Sequence, residues 1–182
     1  MLLKSVLSSV LSRVPVASIA SGQDQSPAKT LLNITALSSR DGYSTIECWQ
    51  LDTEAVYARS ALNWIVGGNT TQAELSIIEP RTTVGEAWAP AVQLTAVLNG
   101  LIRITAPYIP PGANSTIETH VAYAMPGTMS SSFLIAADLP SISTAAGHYT
   151  EFPSNDPTVL VQVPFLDNEF PAYSVLHDGA CV

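Results

Sequence analysis

The chain has 182 residues, 47% hydrophobic and 12% charged, with 13 prolines and a formal net charge of −8. That length suits one domain able to bury roughly two-thirds of its unfolded surface without many staples, and the composition excludes a disordered, charge-driven chain. The 7 Lys and Arg residues are scattered, so no basic footprint for a phosphate backbone exists and nucleic acid is not an expected partner.

The first twenty or so residues differ from the rest. Lys4 precedes an apolar stretch, and Ser18-Ile19-Ala20 before Ser21 supplies the small residues a signal peptidase needs, so residues 1–20 are expected to be a secretory signal. An organellar transit peptide is the alternative, because Leu3, Val6, Leu7, Val10, Leu11 and Val14 fall at helical spacing with Ser, Lys4 and Arg13 opposite. Residues 21–29 are polar with a proline and are expected to be a flexible lead-in to a single β-domain over 30–182. No later segment approaches the ~18 unbroken apolar residues of a membrane span. Asn33, Asn69 and Asn114 each open an Asn-x-Ser/Thr sequon, and Cys48 and Cys181 are the only cysteines. The sequons fit export and surface glycosylation. The cysteines are either two buried thiols or, in an oxidising compartment, one bridge closing a long loop.

Strand-like runs then follow in order. Thr45–Leu51 alternates Ile46 and Cys48 against Thr45, Glu47 and Trp49; Leu62–Val66 is a short apolar run stopped by Gly67-Gly68-Asn69; Ala73–Glu79 is closed by Pro80. Ala91–Leu98 and Leu101–Thr105 flank Asn99-Gly100, the pair favoured in type I′ turns, which predicts a hairpin with both central residues at positive φ. Within it Ile102 and Ile104 face one side while Arg103 and Thr105 face a wet or cavity-lining side. Thr116–Ala124, Ser132–Ala136, His148–Phe152 and Thr158–Phe165 complete about eight or nine strands, without a convincing helix after the N-terminus. The expected fold is all-β: a sandwich, jelly roll or closed barrel.

Candidate chemistry is sparse. The 3 histidines are His120, His148 and His177, with no His-x-His or Cys-x-x-Cys spacing. His120 in a strand and His177 near Cys181 suit structural or surface roles, whereas His148 follows Gly147 at a loop-to-strand junction, a place where barrels mount functional groups. No nucleophile elbow, phosphate-binding loop or dinucleotide fingerprint occurs, which removes the usual support for hydrolase, nucleotide and hydride chemistry. Most carboxylates fall in turns. Glu86 beside Trp88 is an acid–base candidate if it points inward and an exposed loop residue otherwise.

Gln93, six intervening residues and Gly100 match the end of the first cupin motif, whose glutamate position Gln93 would take. The motif's two histidine positions fall on Glu86 and Trp88 or on Ala87 and Ala89. Leu134-Ile135-Ala136-Ala137-Asp138, Gly147-His148 and Asn155-Asp156-Pro157 follow where the second motif would lie. With Ala89-Pro90-Ala91-Val92-Gln93, Gln162-Val163-Pro164-Phe165 and Val175-Leu176-His177 with Gly179 and Cys181, the chain resembles small secreted fungal cupin-like proteins of the RmlC-like superfamily. The resemblance implies a cupin-like β-barrel or jelly roll whose metal-binding histidines are lost. No metal or other cofactor is therefore expected. The expected partner is a small, largely apolar organic molecule held by Gln93, Trp88 and Arg103, with His148 or Glu86 moving a proton in an isomerisation, cyclisation or elimination, as in an accessory step of secondary metabolism. The alternative is a non-catalytic secreted interaction or effector protein with a filled interior, braced by Cys48 and Cys181.

Overall fold

The computed structural model describes residues 30–110 and 116–182. The targeting segment and lead-in expected over residues 1–29, and the sequon at Asn114, lie outside the described residues.

Strands β1 (Leu31–Arg40) and β2 (Tyr43–Glu54) form a long hairpin. Its turn is Asp41-Gly42, with φ of 52° and 83°, the positive pair a tight hairpin demands and that Asp-Gly supplies at little cost. A small hairpin follows, β3 (Val56–Ala58) and β4 (Ala61–Asn63). Then come β5 (Glu74–Ile78), β6 (Thr82–Ala87), β7 (Gln93–Asn99), β8 (Ile102–Tyr108) and β9 (Glu118–Ala124). One helical turn, α1 (Met129–Ser132), capped by Thr128, leads into β10 (Phe133–Ala136). The rest is β11 (His148–Phe152), β12 (Thr158–Pro164), a short turn at Leu166–Asn168 and β13 (Tyr173–Asp178).

Seven strands form one sheet in the order β13-β2-β1-β10-β7-β12-β5, and four form a second in the order β6-β11-β8-β9. Neighbours in both sheets run antiparallel except β1 with β10. The architecture is an all-β jelly roll with its main core between the sheets. Leu37, Ile46, Val97 and Leu134 from the large sheet meet Ile102, Ile104, Ala122 and Phe152 from the small one. A second core lies on the other face of the large sheet, where Ile34, Trp49, Leu51 and Ile135 are covered by Val92, Phe165 and Tyr173. Tyr173 stacks on Trp49 with ring centroids 3.5 Å apart. With both faces of the large sheet covered, β2 is buried along most of its length, and its apolar–polar alternation does not mark an inside and an outside.

That outer core also takes in a carboxylate. Glu47, 4% exposed, accepts from the Trp49 indole at 2.7 Å and from Arg40 at 2.5 Å, and Arg40 also reaches Asp178 at 2.7 Å. Beside them Cys48 and Cys181 are joined by a disulfide, their Cα atoms 4.7 Å apart. Among the described residues neither cysteine is free.

The expected hairpin at Asn99-Gly100 is not formed. β7 and β8 belong to different sheets, and the dipeptide is a corner between them. Both edges of β7 are already taken, by β10 and β12, and Asn99 pairs with Val159 and donates its side-chain amide to the Pro157 carbonyl at 2.7 Å. Gly100 alone adopts positive φ, 81°; a Cβ there would stand 2.4 Å from the Thr158 hydroxyl. The run Leu62–Val66 is likewise not a core strand: its first two residues end the exposed hairpin β3–β4.

Candidate active site between the sheets

A cavity of about 190 Å³ opens between the two sheets. β7 begins at its edge, so that Gln93 and Thr95, one pleat apart, both point inward, each 4% exposed. Gln162 on β12 stands beside Thr95 in register and also lines the cavity. Its Oε1 accepts from the Ser76 hydroxyl at 3.0 Å, and its N–H donors have no partner among the described residues. From the small sheet β11 contributes His148 and Thr150, again alternate residues, while Ile102, Ile104 and Phe152 supply apolar wall. Trp88 closes one rim, its indole N–H donating to the Ser143 carbonyl at 2.9 Å.

The chemical centre is His148, 7% exposed. Its Nδ1 lies 2.5 Å from Oδ2 of Asp138, a carboxylate that is completely buried. The same Oδ2 accepts from the Ser44 hydroxyl at 2.6 Å, and Oδ1 accepts from the Ala89 backbone N–H at 3.2 Å. A buried carboxylate needs such donors to persist. Because Oδ2 can only accept from Nδ1–H, the neutral imidazole carries its lone pair on Nε2. Nε2 has no protein partner among the described residues, which equips this ring to take a proton from a bound molecule.

Local geometry explains why these groups meet. Asp138 is delivered by the parallel pairing of β10 on β1, continued one residue further by the Ala137 N–H to Leu37 carbonyl bond of 2.8 Å. The loop after it is fastened to the Asp41-Gly42 turn, with Ala145 N–H on the Gly42 carbonyl at 2.7 Å and Ser44 N–H on the Ala146 carbonyl at 2.8 Å. β11 then starts directly under Trp88. Gly147 must lack a side chain there: a Cβ would lie 2.3 Å from the Ala87 carbonyl oxygen and 2.8 Å from the Trp88 ring.

Of the candidate residues, Trp88, Gln93 and His148 come together at this cavity. Glu86 and Arg103 do not. In β6 a bulge around Val84 shifts the register, so Glu86 pairs with Tyr149 on the outer face, where both are exposed. Its Oε1 accepts from the Gly147 N–H at 3.0 Å and holds the start of β11. Arg103 alternates with the inward Ile102 and Ile104, so it faces outward and pairs with Glu151, its cross-strand neighbour. His120 is stacked on Tyr108, ring centroids 3.9 Å apart, and His177 is exposed with Nδ1 on the Asp178 carbonyl; neither lines the cavity. Asp138, Ser44, Gln162 and Thr150 are the site residues that sequence reasoning did not single out. Asp138 carried a signal, a lone carboxylate closing the apolar run Leu134–Ala137.

The jelly-roll scaffold raises the question of a metal. The two motif positions that would carry a histidine pair hold Glu86 and Trp88 or Ala87 and Ala89. The donors left are an imidazole already tied through Nδ1 and a carboxamide, a set that does not fit a metal ion. Among the described residues no three His, Cys, Asp or Glu side chains converge.

No protein-family model and no curated protein matches this chain. Of the solved structures, it is similar to NovW, a 4-keto-6-deoxy sugar epimerase from the novobiocin biosynthetic gene cluster of Streptomyces spheroides. The identity is 12% over 79% of this chain and 73% of that one, with a TM-score of 0.32.

Proposed function

We propose that this protein binds a small, largely apolar organic molecule between its sheets and transforms it by metal-independent proton transfer. The observation that carries the reading is the buried Asp138–His148 pair on the wall of an open cavity. Asp138 fixes the ring and its tautomer, Nε2 takes a proton from the bound molecule and returns it elsewhere, and Gln93 hydrogen-bonds an oxygen on which charge develops. That division of labour suits isomerisation, cyclisation or elimination. Export belongs to the same proposal, supported by the disulfide and by the exposed positions of Asn33 and Asn69. A role in fungal secondary metabolism remains part of the proposal through the resemblance alone.

One observation favours the non-catalytic reading. The β3–β4 hairpin and the segment that follows it expose Val56, Tyr57, Leu62 and Ile65 at 62%, 73%, 45% and 78%, more apolar surface than so short a unit sustains comfortably in water. The cavity beside Gln93 is nonetheless open, and this weighs for the ligand-handling reading. Native mass spectrometry of protein taken from its own source should reveal a retained small molecule. With that molecule as substrate, His148→Ala and Asp138→Asn should lower turnover about 10²–10⁴-fold while sparing binding. If nothing is retained and His148→Ala alters neither binding nor turnover, the interaction reading replaces this one.

A further inference from the structure

The cavity's charge and unpaired polar groups define the class of molecule it accepts. Gln93 is 4% exposed, yet its carboxamide has no protein partner among the described residues. Thr95, equally buried, stands beside it, and the free N–H donors of Gln162 lie next in register. The carboxamides of Gln93 and Gln162 open onto the cavity rather than being sealed without a partner; a purely hydrocarbon ligand would cover them and leave them unpaired, at a cost, whereas a ligand oxygen would pair with them.

Charge decides the rest. The cationic side chains of the described residues, histidines aside, are Arg40, Arg59, Arg81 and Arg103. Arg40 is held by Glu47 and Asp178, Arg103 by Glu151, and Arg81 by the Asn155 carboxamide, while Arg59 sits in the β3–β4 turn. None lines the cavity. Among the described residues the one ionisable group on its wall is His148, backed by Asp138. With the ring protonated the pair is neutral; with the ring neutral it is negative. An anion entering the cavity would lose its water and meet no net positive charge in either state.

Resting on the ligand-handling reading above, we propose that the ligand is an uncharged hydroxy- or keto-compound, and that carboxylates, phosphate esters and nucleotide-linked molecules are excluded. The probes are one ring with different head groups: 2-hydroxycyclohexanone, methylcyclohexane, cyclohexanecarboxylate and cyclohexyl phosphate. Each is titrated into the full chain while the His148 ring and Gln93 side-chain amide resonances are followed by NMR. The hydroxyketone should bind roughly tenfold more tightly than the hydrocarbon, the scale of one net hydrogen bond, and both anions more weakly than the hydroxyketone by at least as much. Gln93→Leu, with Gln93→Met as a second variant of similar volume, should erase the preference over methylcyclohexane while leaving hydrocarbon binding intact. Either anion shifting the same resonances at equal or lower concentration, or the hydrocarbon matching the hydroxyketone, overturns the ligand class and leaves the site standing. If no probe moves these resonances, the ligand-handling reading falls together with the class.

Discussion

Asp138 and Glu47 are both buried carboxylates, and the fold satisfies them differently. Asp138 is satisfied by hydrogen bonds from Ser44, Ala89 and His148, Glu47 by the Arg40 cation and the Trp49 indole. Glu47 also acts on Tyr173, whose phenol is pushed above its ordinary value of about 10 by burial first and by the nearby carboxylate second, against a hydrogen bond with Ser38. The folded state therefore keeps this phenol neutral where the unfolded chain would ionise it. The resulting stability is fully present below about pH 10 and is lost as the pH rises from there through the raised folded value. Urea unfolding between about pH 8 and pH 11 should show wild type losing stability faster than Tyr173→Phe at the alkaline end; parallel curves would refute the assignment. At this scale His148 and Gln93 were legible, one from the Gly147-His148 junction and one from motif spacing. Asp138 was not selected, because a carboxylate ten residues away becomes a partner only when β10 and β11 end at the same rim. Glu86 was left open between an inward and an exposed position, and it lies exposed on the outer face, beyond the bulge at Val84.

Strands were read well where turn residues bounded them. His148–Phe152 and Thr158–Phe165 stand within a residue of β11 and β12, because Gly147 and Pro157 punctuate them. Pairing was read poorly. Asn99-Gly100 has the composition of a hairpin turn, yet the hydrogen-bonding edges it would have joined were claimed by strands far away in sequence, whereas Asp41-Gly42, with the same kind of signal, does make one. Arg59-Ser60 turns the β3–β4 hairpin with φ of 51° and 64°, and nothing in those residue types announces it. The junction before β11 is where an element and the site depend on each other. Gly147→Ala should destabilise the protein by about 1–3 kcal/mol through overpacking against the Ala87 carbonyl, and should loosen the His148–Asp138 contact. Chemical denaturation and the His148 ring resonances report the two effects. A variant as stable as wild type with an unshifted ring would mean that the junction yields freely.

At the scale of the molecule, alternation and frequent turns were enough for an all-β fold, since 182 residues of this composition have few other ways to bury so many short apolar runs. The covering of both faces of the large sheet was hidden, because it depends on Phe165 and Tyr173 returning to strands more than a hundred residues earlier. The Cys48–Cys181 bridge spans 133 residues, and in the chain-entropy model a loop of that size contributes about 4–5 kcal/mol. Protein recovered from a secretory route should carry that bridge, glycan on Asn33 or Asn69, and a mass short of about twenty N-terminal residues. Its reduction should lower stability by roughly the same 4–5 kcal/mol. An uncleaved, unglycosylated chain with two thiols would contradict export, and unchanged stability on reduction would contradict the structural weight given to the bridge. The strand order has a temporal meaning as well. Of the described strands β1 and β2 are translated first, but their lateral neighbours, β10 and β13, follow about eighty or more residues later. Until then both flanks of that first hairpin are unpaired edges, open to wrong partners. Such long-range pairing makes folding slow, so the nascent chain is expected to depend on chaperones until Asp178 has been made.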